Sequence, residues 1–239
     1  GGRGFGLARS VDPRDPMTRE LTDSRRAPLS EDEPTSVVVF LHGYGADGAD
    51  LLGLAEPLAP HMPNTAFRAP NAPERCTASP TGYQWFPIPW IDGSSEAEAA
   101  TAMTQAAHDL TPYLDRVLTE ENLTADRMIL VGFSQGTMMS LHVAPRRDHQ
   151  IAGIVGFSGR LLSPDTLEAD LKVKPPVLLL HGDADDVVPF ASMAEAETTL
   201  KAAGFDVWTH VMPGTPHGIA PDGLQEALGF MSAQLRITG

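Results

Sequence analysis

Met128-Ile129-Leu130-Val131-Gly132-Phe133-Ser134-Gln135-Gly136 is the stretch that decides the fold. Its first four residues form a short, continuous apolar run, as expected of a strand covered on both faces. The next five spell Gly-x-Ser-x-Gly, and a helical pattern, Met138–Val143, follows. In such a strand–turn–helix the serine sits on a tight, strained turn, and the flanking glycines let the two backbones approach closely. Its Oγ is pushed into the open, with a helix N-terminus behind it that favours developing negative charge. The pentapeptide alone is weak evidence. With Gly and Ser each near ~7% of an average protein, roughly one chain in ten of this length carries it by chance. Any α/β protein also needs Gly-rich connections, so it is the place between strand and helix that gives this serine weight.

Outward from that turn, strands and helices alternate. Apolar runs rich in β-branched residues appear at Val37–Leu41, Ile151–Gly156, Val177–Leu180 and Val207–Met212, with a weaker one at Ala66–Ala69. Helical patterns lie between them at Asp50–Leu58, Glu96–Leu118, Met193–Ala203 and Leu224–Leu235, with Ser94 or Ser95 as N-cap of the long one. This alternation predicts a mostly parallel, doubly wound sheet flanked by helices. A single domain is expected over 35–239. Residues 1–34, rich in Gly, Pro, Arg and acidic residues, are expected to be poorly ordered, although Thr18–Leu21 suits a short edge strand. The chain does not open with Met, and Met17 is a candidate native start, which would make residues 1–16 foreign to the protein.

Composition narrows the partners. The 239 residues carry a formal charge of −14, which argues against nucleic acid and anionic membrane surfaces. No apolar run reaches the length of a membrane span, so insertion is not expected. One cysteine, Cys76, rules out an internal disulfide framework, and the first ten residues lack a secretory apolar core. Together these suggest a cytoplasmic protein. Nothing in the sequence sets an oligomeric state.

The carboxyl ends of other strands hold the partners a nucleophilic serine needs. After Val177–Leu180 comes His181-Gly182-Asp183-Ala184-Asp185-Asp186, where one carboxylate can accept a histidine Nδ1 proton and fix its tautomer. Three aspartates compete, and Asp183 or Asp186 would serve equally to cap the helix near Phe190. After the last strand, His217 sits in Gly214-Thr215-Pro216-His217-Gly218, out of regular structure and free to reach a neighbouring loop. His210, within that strand, reads as a packed residue. At the end of the first strong strand, His42-Gly43-Tyr44-Gly45 supplies a loop for an oxyanion donor. The backbone N–H of Tyr44 and that of Gln135, following the serine, make the pair. His42 reads as a brace for that loop.

Two other readings use the same residues. Gly43-x-Gly45-x-x-Gly48 has the form of a dinucleotide fingerprint, but the next strand ends Arg68-Ala69-Pro70 without the acidic residue that would confirm it. His181, Asp183 and Asp185 would share one face of a continued strand and face a metal, but no second ligand cluster matches them.

Leu41-His42-Gly43-Tyr44-Gly45, the Gly132–Gly136 turn, His181-Gly182-Asp183-Ala184-Asp185 and Pro216-His217-Gly218, in this order, resemble the phospholipase/carboxylesterase family, which includes acyl-protein thioesterases. The similarity runs from about Val37 to the C-terminus. It implies an α/β-hydrolase fold and a triad of Ser134, Asp185 and His217, selecting Asp185 among its neighbours. It also implies Tyr44 and Gln135 as oxyanion donors. Gln84-Trp85-Phe86-Pro87-Ile88-Pro89-Trp90 looks like the acyl-side loop of bacterial esterase members, with Trp85, Phe86 and Trp90 as substrate-binding residues; simple core packing would explain the same aromatics. It differs from the shorter Trp-Phe-Asp form of eukaryotic thioesterases. The implied activity is hydrolysis of small, short- to medium-chain carboxylic esters without cofactor or metal. Acyl-protein thioesterase or lysophospholipase activity on the same site is the alternative, and a non-catalytic binder on the same scaffold is the alternative of another class. No cap domain is expected, because Arg160–Lys174 has room for little more than one short helix.

Overall fold

The computed structural model describes residues 17–238. Seven strands form one sheet: β1 Asp23–Arg26, β2 Ser36–Leu41, β3 Thr65–Pro70, β6 Met128–Phe133, β7 Gly153–Phe157, β8 Val177–Gly182 and β9 Val207–Met212, in the spatial order β1-β3-β2-β6-β7-β8-β9. β1 runs antiparallel to β3, and every other pairing is parallel. Two-residue strands β4 Glu74–Arg75 and β5 Tyr83–Gln84 make a separate hairpin.

Continuous apolar strands need cover on both faces, and alternate side chains find it. Val37, Val39, Leu41, Met128 and Leu130 pack with Leu110, Leu114 and Val117 of the helix Glu96–Glu120. Val38, Phe40, Ile129 and Val131 point the other way, onto Leu58 and onto Ala227 and Met231 of the helix Pro221–Leu235. The long helix starts at a capping box: Ser95 Oγ accepts from Glu98 N–H, and the Glu98 carboxylate accepts from Ser95 N–H. Between β7 and β8 only a 3₁₀ turn, Pro164–Thr166, and a helix, Leu167–Asp170, are inserted. The protein has the α/β-hydrolase fold. Among the described residues, no helix is long and apolar enough to cross a membrane.

The amino-terminal region departs from the sequence-based expectation. Residues 1–16 lie outside the described residues, but 17–34 are not a loose extension. The edge strand is Asp23–Arg26, not Thr18–Leu21, and its side chains are tied down by charge. Arg25 donates to both carboxylate oxygens of Glu121 (2.7 Å each), and Arg68 donates to Glu121 (2.8 Å) and Asp23 (2.7 Å). Arg19 donates from its backbone N–H and its guanidinium to the buried Asp109. These partners lie more than forty positions apart, so no local pattern announces them.

Burial alone would push the Glu121 carboxyl up, but the hydrogen bonds and charges of Arg25 and Arg68 outweigh it and hold the group below its usual value. A depressed carboxyl contributes stability above its unfolded pKa, about 4.5, and loses it as pH falls through the lower folded value. Arg68→Met takes one of its two guanidinium partners from Glu121, which keeps both bonds to Arg25, and also takes a partner from Asp23, so it should cost about 1–3 kcal/mol. Thermal melts near neutral pH check the loss. The gap between variant and wild type should shrink as pH falls from about 4.5 through the lower folded value, because protonation of Glu121 removes the charge that Arg68 pairs with.

Candidate active site

The turn after β6 has the geometry that the glycine spacing requires. Ser134 takes φ +55° and ψ −116°, a conformation that costs a non-glycine residue about 1–3 kcal/mol. Backbone bonds on both sides hold it: Ser134 N–H donates to Phe157 O (3.0 Å), and Met138 N–H donates to Ser134 O (3.1 Å). The helix Gln135–Val143 begins at the next residue. A Cβ on Gly136 would lie 1.8 Å from Leu41 O, so only glycine lets this helix start against the end of β2. That contact brings the His42–Gly45 loop beside the serine.

His42 braces this loop. It is buried, its Nε2 accepts from Ala72 N–H (2.9 Å), and its Nδ1 therefore carries the proton and donates to Gly43 O (2.7 Å). Burial holds its pKa below the usual histidine value, against the pull of the Gly43 hydrogen bond. The Tyr44 and Gln135 residues both line the cavity at Ser134. As the first residue of its helix, Gln135 has an N–H outside the helical ladder.

Asp185 and His217 meet across two neighbouring loops. His217 Nδ1 donates to Asp185 Oδ2 at 2.8 Å, while Oδ1 accepts from Val187 and Val188 N–H, each at 2.9 Å. Burial pushes the Asp185 carboxyl up, but the His217 hydrogen bond and the two backbone amides prevail and keep it below the usual range. His181 supports the same acid. Its Nε2 lies 2.9 Å from Val188 O and 3.3 Å from Asp185 Oδ2, both acceptors, so that nitrogen carries a proton. Asp183 is not a helix cap: its Oδ1 accepts from Gly214 N–H (2.7 Å) and fastens the acid loop to the histidine loop. Asp186 is exposed. His210, read as packed, is half-buried and pairs with Asp222 at 2.7 Å.

Gly182 makes the crossing of these loops possible, because a Cβ there would lie 2.0 Å from Thr215 O. Gly182→Ala must push the His217 loop away from Asp185. Misplacement of about 1 Å costs on the order of 10²-fold in rate, and esterase assays on the folded variant should show a loss of that size.

Ser134 and His217 open into a cavity of about 290 Å³. Phe86 and Trp90 line it. Trp85 does not. It is fully buried, its indole Nε1 donating to His42 O (2.9 Å) and its backbone N–H to Gln135 Oε1 (3.1 Å), so it packs behind the site and fixes the loops that form it. Ile88, Met138, Arg160 and Val187 also line the cavity, and the sequence reading did not single them out. Met138 was within reach, since it lies one helical turn after Ser134 on the same face. A larger hollow, about 450 Å³, lies around Thr35, Met62 and Arg127, at the amino ends of the strands and away from Ser134.

The sequence pattern of the phospholipase/carboxylesterase family matches residues 27–235. The chain belongs to this family. It is a serine hydrolase of the esterase/thioesterase type. Acyl-protein thioesterase 1 of Gibberella zeae is 29% identical to it over 233 residues, which cover 90% of this chain and 98% of that one. The Neurospora crassa protein of the same description is 30% identical, covering 89% and 93%. Among solved structures, esterase PE8 is 38% identical with a TM-score of 0.85, covering 90% of this chain and 99% of that one. Zea mays acyl-protein thioesterase 2 is 26% identical with a TM-score of 0.71, covering 90% and 99%.

Proposed function

We propose that this family member is a carboxylesterase for short- to medium-chain esters, with Ser134 as nucleophile, His217 as general base and Asp185 as its orienting acid. The observation that carries the reading is the 2.8 Å His217–Asp185 pair set beside the strained Ser134 turn at one apolar cavity. Asp185 holds the Nδ1–H tautomer, which leaves Nε2 to take the Ser134 proton as Oγ attacks the ester carbonyl. The backbone N–H groups of Tyr44 and Gln135 receive the developing alkoxide. Collapse of the tetrahedral intermediate breaks the bond to the alcohol, which leaves with the proton from His217. Water then attacks the acyl-enzyme, giving its proton to His217, and the acid departs as Oγ recovers its proton. The small cavity, walled by Phe86, Ile88 and Met138, favours short and medium acyl chains; longer ones would leave methylenes in water and forgo part of the ~0.8 kcal/mol each gains on burial.

Acyl-protein thioesterase activity is the second reading, favoured by the descriptions of the fungal and maize relatives. Hydrolysis rates over p-nitrophenyl esters of graded chain length, beside one acyl thioester and one acylated peptide, separate the two. Highest kcat/KM on short or medium esters supports the carboxylesterase. A clear preference for the acylated peptide replaces it with the second reading.

A further inference from the structure

We propose that the esters preferred by this site carry a negative charge, a carboxylate a few bonds from the scissile carbonyl, and that Arg160 binds it. The inference rests on Ser134 being the reacting centre. Arg160 follows β7 by way of Ser158-Gly159 and lines the same cavity as Ser134 and His217. Among the residues that line this cavity it is the one Arg, Lys, Asp or Glu. Phe86, Ile88 and Trp90 reach the cavity from the connection after β3, whereas Arg160 reaches it from β7, on the other side of the nucleophile's strand. The cavity thus has an apolar wall from one side, and from the other a cation beside Val187, Val188 and Pro189 of the loop after β8.

The charge balance makes this cation notable. The chain has 31 acidic and 17 basic residues, so carboxylate partners are plentiful. Arg25, Arg68 and Arg147 are each paired with one or more of them. Among the described residues Arg160 has no hydrogen bond or ion pair, and its side chain is left exposed at the cavity. A guanidinium there presents a planar fork that matches a carboxylate. Apolar neighbours weaken solvent screening of that pairing relative to open water. The substrate that fits is amphiphilic: its apolar part lies on Phe86 and Ile88, its ester at Ser134 and its carboxylate at Arg160.

Two matched substrate pairs test this with the full chain. p-Nitrophenyl pentanoate and p-nitrophenyl hemiglutarate differ by a carboxylate on the acyl side. The butyrate esters of p-hydroxybenzamide and p-hydroxybenzoate differ by one on the alcohol side. In at least one pair, the kcat/KM ratio of charged to neutral ester should fall about tenfold or more in Arg160→Met, the size of a lost charge-assisted contact. It should fall further in Arg160→Glu and lie between in Arg160→Lys. The wild-type ratio in that pair should also decline with added salt. Ratios indifferent to all three substitutions in both pairs would overturn the proposal. Failure of the wild type to hydrolyse any of the four, or hydrolysis undiminished by Ser134→Ala, would instead overturn the reading of the site.

Discussion

Ser134→Ala should lower ester turnover by on the order of 10⁴-fold or more while the protein stays folded. The size follows from the role proposed for Ser134: without Oγ no acyl-enzyme forms, and what remains is whatever the proposed oxyanion donors and binding do for water. The expectation of an intact fold follows from how the turn is held. Its bonds are main-chain ones, Ser134 N–H to Phe157 O and Met138 N–H to Ser134 O, and neither uses the hydroxyl. The close packing of the turn belongs to its glycines, with Gly136 against Leu41 O. Purified variant and wild type should therefore melt within a few degrees of each other. Near-normal turnover by the variant, with contaminating esterase excluded, would remove Ser134 from the mechanism.

Asp185→Asn should be nearly as damaging, about 10⁴-fold in kcat, for a different reason. An asparagine can keep Oδ1 as acceptor for Val187 and Val188, which turns its NH₂ group towards His217 Nδ1. Two donors cannot face each other, so His217 must move its proton to Nε2, the nitrogen that should accept from the serine. The same NH₂ also confronts the Nε2–H of His181, 3.3 Å from the present oxygen. The neighbours give the contrast. Asp183→Asn retains an oxygen to accept from Gly214 N–H, and Asp186 is exposed, so each change should cost less than about tenfold, in line with a surface or a retained hydrogen bond. Steady-state kinetics on the three variants decide it. If Asp183→Asn were the most harmful, the acid would be misassigned.

These contrasts also show where the sequence was legible. The parallel strands were, because burial on both faces leaves short apolar runs that few other elements produce. The serine turn was, because its glycines answer to steric limits within five residues. The strand ends pointed to Ser134, to a group of three aspartates and to His217, and only the family resemblance singled out Asp185 among the three. Trp85 was not legible: a tryptophan in a Pro-rich loop reads the same whether its ring faces the substrate or, as here, sits behind the site with its N–H on His42 O. The β1 strand was missed because Asp23–Arg26 is polar, and its fixing partners, Arg68 and Glu121, lie far along the chain. Asp183 reads in the sequence as a competing acid or a helix cap, because its partner, Gly214 N–H, lies 31 residues on in the other loop.

The order of strands has a consequence for how the molecule would wear out in use. Ser134 hangs from β6, in the middle of the sheet, whereas His217 hangs from β9, its last strand. The proposed nucleophile is thus set in the interior of the sheet and its proposed base at the margin. Margins open first, because an outer strand has neighbours on one side only and local opening needs less free energy than global unfolding. A sample kept warm would lose its base from position by peeling of β9 while the central strands still gave the spectrum of a folded protein. Working half-life and melting temperature would then be separate properties of this chain. Effort to prolong service belongs at residues 207–217 and the helix that follows, and a better-packed centre would do little for it.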